Sequence, residues 1–330
     1  MKILVTPTSL QPEKGNAALE QLKSFADELV FNPVGRPLTE DELIPLLKDC
    51  DGYVAGLDFV TEKVIKACPN LKMISRYGVG YDRVDVNAAK EHGITVTNTP
   101  GVNSEAVGEL AFALILAVAR KIPYLDQDTR KGGWTRSTGF ECKGKTICIL
   151  GLGSIGKVVA RCAQGFGMTV CAYDPYINAA YCEENEIENV SFEEGIQKAD
   201  VISLHLPLMD STKHLIDGDA IAKMKDGVVI INTARGGLID TKALINALEN
   251  EKVGAVGLDV IEDEFGMYYY DRKSDILSKK DLYILRGFPN VIVTPHMAFY
   301  TDQAVSDMVK NSLLSCILHS EGKEDPWKVL

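Results

Sequence analysis

An apolar run at 145–150 leads into the stretch GLGSIG at 151–156, a helical pattern follows, and a second apolar run at 168–173 ends in Asp174. Strand, glycine loop, helix, strand and acid, in that order, are the fingerprint of a βαβ unit that wraps a dinucleotide pyrophosphate, and they demand a parallel sheet here. Gly151 is expected to turn sharply out of the strand, Gly153 to let backbone amides approach the phosphates, and Gly156 to bring the helix close to the strand. Ser154 and Ile155 open that helix, whose N-terminus faces the phosphate charge. Glycines at this spacing also mark plain turns, so the weight rests on the whole succession. Asp174 is placed for both ribose hydroxyls and would repel a 2′-phosphate, which predicts NAD rather than NADP. Pro175 and Tyr176 add no positive charge beside it.

The chain has 330 residues, enough for about two domains. Short β-like runs at 2–6, 28–32, 52–55, 72–76 and 94–98 alternate with helical stretches and predict a first parallel α/β unit without a phosphate loop. A second series at 145–150, 168–173, 200–205, 227–232, 253–259 and 291–294 predicts a Rossmann-type sheet. A helix at 103–121 joins the two, with Asn103 as N-cap and Glu105 in its first turn. The last helix, 301–320, is expected to return to the first unit. The reading is therefore an α/β protein of two Rossmann-like, doubly wound parallel-sheet domains. Residues 1–100 and 298–330 form a discontinuous, flavodoxin-like substrate domain, and residues 101–297 bind NAD. The apolar run at 110–119 exceeds what one amphipathic face needs, which predicts a homodimer through the helix at 103–121 and the chain after it.

A net charge of −11, from 46 acidic against 35 basic residues, offers no basic stripe for nucleic acid or an anionic membrane. The longest apolar run falls short of the ~20 residues of a membrane span. The N-terminal run is too short for a signal peptide and reads as a first strand, so a cytoplasmic location is expected. The eight cysteines include no CxxC pair or Cys/His cluster, so no metal site and no disulfide framework is expected. No internal repeat stands out.

Three polar residues fall at or past strand ends in the second series, where ligands bind in open α/β sheets. Arg235 follows the run at 228–234 and offers a planar fork to a carboxylate, or else is a solvated loop arginine. Glu264 closes an acid-rich turn that is equally readable as solvated. His296 follows Pro295, and a lone histidine is more often structural than catalytic. In the first series Gly78, Val79 and Gly80 lack a third glycine, since Arg83 holds that place. They read either as a plain turn or as an amide nest for a carboxylate.

Taken together, Arg235 in NTARGG (232–237), Glu264 behind Asp259 of LDV (258–260) and His296 after Pro295 resemble the signature of the D-isomer-specific 2-hydroxyacid dehydrogenases. The resemblance covers essentially the whole chain, with RYGVGYD at 76–82, NTPG at 98–101 and SLHLPL at 203–208. It implies that Arg235 grips the substrate carboxylate and polarises the 2-keto group. His296 would protonate the keto oxygen as hydride arrives from the nicotinamide, and Glu264 would orient the imidazole and stabilise its cation. Asp259, Thr233 and Ala234 would line the nicotinamide pocket, and His205, Pro207 and Thr212 its cofactor wall. Residues 78–174 are closer to 3-phosphoglycerate dehydrogenases. The catalytic end is closer to D-lactate dehydrogenases, in MAFYT at 297–301 and in EFGMYYYD at 264–271 with the insertion that follows to 286. Phe299 and Tyr300 would set aromatic surface beside the substrate side chain and favour an apolar group. A phosphoglycerate-type regulatory extension is not expected. The expected activity is NAD-dependent interconversion of a 2-keto acid and D-lactate or a larger apolar D-2-hydroxy acid. Phosphoglycerate dehydrogenation is the alternative, and an NAD-sensing corepressor or scaffold is the reading from another class.

Overall fold

The computed structural model of the chain describes residues 1–10, 17–264, 267 and 280–329. They gather into two compact units, one drawn from residues 1–103 and 300–329, the other from residues 104–264 and 280–299.

In the first unit, strands β1 (Lys2–Val5), β2 (Glu28–Phe31), β3 (Gly52–Ala55), β4 (Met73–Arg76) and β5 (Thr95–Thr97) form a parallel sheet in the order β2-β1-β3-β4-β5. Strands β3 and β4 are buried along their whole length, which is why the runs read as continuous rather than alternating. The final helix, Asp302–Ser320, belongs to this sheet: the buried Ser75 hydroxyl on β4 donates to the carbonyl of Ser312, and Thr97 bridges antiparallel to Lys328.

The second unit holds β6 (Thr146–Leu150), β7 (Thr169–Tyr173), β8 (Glu188–Asn189), β9 (Val201–Leu204), β10 (Val228–Asn232), β11 (Val253–Leu258) and β12 (Val291–Val293). Its parallel order is β12-β11-β10-β9-β6-β7-β8. Only β8 escapes the sequence pattern, because both its residues are exposed and polar. The helix between the two series runs over Ser104–Ala119, and most of its apolar side chains are buried inside the unit, while Leu110, Leu116 and Ala117 are half-buried and Ala113 is exposed. Gly108 lies so close to Val158 of the helix Ser154–Gly165 that a Cβ would come within 2.5 Å, and Leu114 covers Gly257 of β11. Much of the apolar run at 110–119 is therefore spent within the unit, and the expected dimer does not follow from it alone. Asn103 does not act as a cap either, since its Oδ1 is buried without a hydrogen bond. The exposed apolar side chains come just afterwards, at Ile122, Tyr124 and Trp134.

No helix among the described residues is long and apolar enough to cross a membrane. All eight cysteines are free thiols, and seven are buried. Among the described residues no group of His, Cys, Asp or Glu is arranged to hold a metal.

Candidate active site

Because the second sheet is wholly parallel, the loops after β6, β7, β9, β10, β11 and β12 all open at one edge. The chain winds outward from β6 in both directions, which leaves a crevice at that edge.

The glycine loop divides its work as the spacing requires. Gly151 has φ +101°, and a Cβ there would lie 2.7 Å from the carbonyl carbon of His205. Gly156 is pressed onto the loop, a Cβ lying 2.1 Å from the Gly151 oxygen. At Gly153 a Cβ would meet nothing within 4 Å, so this face is open, at the N-terminus of the helix that Ser154 and Ile155 begin. Asp174, at the end of β7, braces the loop: Oδ2 accepts the Leu152 N–H at 2.9 Å and Oδ1 the Tyr176 N–H at 2.8 Å. An open cradle at a helix N-terminus with an acid on the next strand end fits a dinucleotide.

After β9, His205 shares a 2.8 Å hydrogen bond between Nε2 and the Ser203 hydroxyl, and burial pushes its imidazole down to about 3. It is therefore neutral at physiological pH, and its buried Nδ1 has no hydrogen bond. The Thr212 hydroxyl is spent on its own loop, donating to the Pro207 carbonyl at 2.6 Å and accepting from the Met209 N–H at 2.8 Å. After β10, the Asn232 amide folds the turn that carries Thr233, Ala234 and Arg235, giving Nδ2 to the Arg235 carbonyl and taking the Ala234 N–H. Arg235 donates from Nη1 to the Ala234 carbonyl at 2.8 Å.

The best-defined chemistry sits after β11 and β12. His296 Nδ1 lies 2.7 Å from Glu264 Oε1, with the side chains 16% and 13% exposed. The other oxygen of Glu264 accepts the Ile261 N–H at 3.3 Å. His296 occupies the left-handed region at φ +51°, costly for a residue with a Cβ, and Asp259 supplies the compensation. The nearly inaccessible carboxylate of Asp259 accepts the Thr294 hydroxyl at 2.5 Å and the N–H groups of Met297 and Ala298 at 3.0 and 2.8 Å, while its carbonyl accepts the His296 N–H. Sequence reasoning had Asp259 only as a nicotinamide contact and missed this role as a clamp. Of the acids at 262–264, Glu264 reaches His296, whereas Glu262 turns to His214 and Thr241.

In the first unit, Gly78 has φ +134°, and a Cβ there would sit 3.1 Å from the Arg76 guanidinium. The Gly78 carbonyl accepts the Thr99 N–H and the Val79 carbonyl the Asn98 amide, so the loop through Gly80 is held by its carbonyls. Phe299 is half-buried in the second unit, and Tyr300, half-exposed, starts the return to the first. A buried network also went unread: the Tyr53 hydroxyl and the Thr6 hydroxyl both donate to Asp58, which fixes the loop after β3. Residues 265–266 and 268–279, most of the lactate-type segment, lie outside the described residues.

Comparison with known proteins agrees with this geometry. The D-isomer specific 2-hydroxyacid dehydrogenase NAD binding domain matches residues 112–298. A hydroxypyruvate reductase of Thermotoga maritima is 42% identical over 270 residues, 81% of this chain and 84% of its own. A glyoxylate reductase of Thermococcus litoralis is 36% identical over 336 residues, 99% of this chain and 96% of its own. The D-lactate dehydrogenase of Aquifex aeolicus, solved with NAD and lactic acid, superimposes with a TM-score of 0.85 at 30% identity, covering 97% of this chain and 96% of that one. Sequence, fold and site agree: the chain belongs to the D-isomer specific 2-hydroxyacid dehydrogenases and uses NAD.

Proposed function

We propose that this enzyme reduces a small 2-keto acid with an apolar side chain, pyruvate or a larger homologue, to the D-2-hydroxy acid. The observation that carries the reading is the His296–Glu264 pair. With Nδ1 committed to the carboxylate, Nε2 is the atom that hands a proton to the keto oxygen in reduction and takes one back in oxidation. Glu264 orients the ring and stabilises its cation, and Arg235 grips the substrate carboxylate through two parallel N–H donors. In the first unit the amides of Gly78, Val79 and Gly80 are the candidate donors for a substrate carboxylate, and Phe299 and Tyr300 are the candidate contacts of the substrate side chain. For the cofactor, the loop from Gly151 to Gly156 takes the pyrophosphate and Asp174 the ribose hydroxyls. His205, Pro207, Thr212, Thr233, Ala234 and Asp259 enclose the nicotinamide. NADH supplies the hydride. A second reading, reduction of glyoxylate or hydroxypyruvate, is favoured by the names of the relatives in Thermotoga and Thermococcus.

The test is NADH oxidation with glyoxylate, hydroxypyruvate, pyruvate, 2-ketoisocaproate, phenylpyruvate and 3-phosphohydroxypyruvate. Highest kcat/KM on an apolar keto acid, lost in Arg235→Lys although the charge is kept, supports the proposal. Preference for glyoxylate or hydroxypyruvate selects the second reading, and phosphohydroxypyruvate as best substrate refutes both. We also propose a homodimer in the cytoplasm, joined at the exposed Ile122, Tyr124 and Trp134. A light-scattering mass near 36.1 kDa at micromolar concentration refutes the dimer.

A further inference from the structure

A second carboxylate in the Glu264 turn has work of its own. Glu262 Oε1 lies 2.6 Å from His214 Nε2, while Oε2 accepts both the Thr241 hydroxyl at 2.7 Å and the Thr241 N–H at 3.1 Å. Thr241 is the first residue of the helix Thr241–Glu249, so the acid also faces a helix N-terminus. Burial works to raise the Glu262 carboxyl, but the bonds from His214 and Thr241 win and hold it below the usual range.

Each of these contacts belongs to a segment with a role at the site. His214 ends the loop that starts at Pro207, stands at φ +52°, and gives its N–H to the Gly237 carbonyl at 2.8 Å. Thr241 closes the stretch that starts at Arg235. Next to Arg235, a Cβ on Gly236 would lie 2.0 Å from the carbonyl carbon of Ile261 and 2.4 Å from the Glu262 nitrogen, so the two backbones are in direct contact. The N–H of Ile261 is the one that orients Glu264. One carboxylate thus joins the loop after β9, the turn after β10 and the turn after β11, at the point where the last two touch.

We propose that Glu262 is a positioning residue, acting through the Glu264 turn and the Arg235 turn to hold the proton donor and the carboxylate clamp in register. The inference rests on the roles assigned above to Arg235, Glu264 and His296. The glycine loop after β6 is held by other bonds, such as the one from the Leu152 N–H to Asp174, so loss of Glu262 disturbs the chemical step more than NADH binding.

The experiment compares Glu262→Ala and Glu262→Gln with wild type by steady-state reduction of the preferred keto acid, NADH titration by fluorescence, and thermal unfolding. A misplacement of about 1 Å at a reacting group costs on the order of 10²-fold. Glu262→Ala should lose at least about 10-fold in kcat/KM per NADH-binding site, with a clearly smaller change in the NADH dissociation constant. Glu262→Gln keeps an oxygen for Thr241 and an amide for His214, and should recover most of that loss. If Glu262→Ala does not fold, Thr241→Val removes the hydroxyl bond and His214→Ala the imidazole bond, and each should give an intermediate loss. Unchanged kcat/KM per binding site overturns the proposal, as does a loss matched by equal loss of NADH binding. A wild-type activity that survives His296→Ala defeats the underlying assignment first, so the two failures are told apart.

Discussion

Replacing Glu264 by Gln tests the proton donor most directly. Glu264 Oε1 lies 2.7 Å from His296 Nδ1, so the hydrogen bond between them is charge-assisted by the carboxylate. The pair is not sealed, however: exposures of 16% and 13% let water screen part of it. The change in hydrogen-bond type therefore sets the scale. A bond involving a charged group contributes about 1.5–3 kcal/mol and a neutral one about 0.5–1.5, so the substitution removes roughly 1–2 kcal/mol from the transition state. At about 1.4 kcal/mol per decade this is a 5- to 30-fold fall in kcat/KM for reduction. Geometry adds to it. If the Gln oxygen keeps the Ile261 N–H, its amide N–H₂ points at Nδ1 and favours the tautomer with the proton on Nε2, which binds keto acid without an imidazolium to donate. The assay is kcat/KM for NADH-dependent reduction in wild type, Glu264→Gln, His296→Ala and the double variant. His296→Ala alone should lose about 10²- to 10⁴-fold, and in that background Glu264→Gln should add little, because its effect runs through the imidazole. Coincident values for wild type and Glu264→Gln, or full additivity in the double variant, would refute the assignment.

Two glycine variants should separate folding from cofactor binding. Gly153→Ala meets no atom within 4 Å, so it should unfold at the wild-type temperature yet bind NADH at least about tenfold more weakly. Gly156→Ala, with a Cβ 2.1 Å from the Gly151 oxygen, should lose stability and binding together, and the opposite pattern would contradict the division of roles. Asp174 should make NADH strongly preferred to NADPH in steady-state kinetics, and equal efficiency would remove it from the ribose. His205 should make the fold acid-sensitive. Its folded value near 3 lies below the ~6.5 of the unfolded chain, so stability is complete above pH 6.5 and falls as pH drops towards 3, by about 1.4 kcal/mol per pH unit. Urea midpoints at pH 7.5 and 5 should converge in His205→Gln relative to wild type, and unchanged pH dependence would show that the ring is not held neutral.

The sequence by itself was enough for eleven of the twelve strands, the two parallel sheets and the dinucleotide loop. These follow from local chemistry. A strand buried on both faces must be apolar throughout, and at Gly151 the backbone takes a φ of +101° that a side chain resists. Arg235, Glu264 and His296 fall past strand ends, where each reads equally as a solvated or structural side chain, so they were singled out by resemblance, and it is the fold that sets Glu264 against His296. What the sequence left open was decided by contacts between residues far apart in the chain. Three acids at 262–264 are interchangeable as letters, and only the turn that Asp263 takes at φ +50° sends Glu262 to His214 and Thr241 and Glu264 to His296. Asp259 reads as one more acid on a strand end, yet its burial against residues 294–298 makes it the clamp of the histidine loop. The helix Ser104–Ala119 is more apolar than one buried face needs, and only the fold shows that Val158 packs at Gly108 and Gly257 at Leu114. Propensity and spacing act within a few residues, whereas a buried carboxylate takes whichever donors the folded chain brings to it.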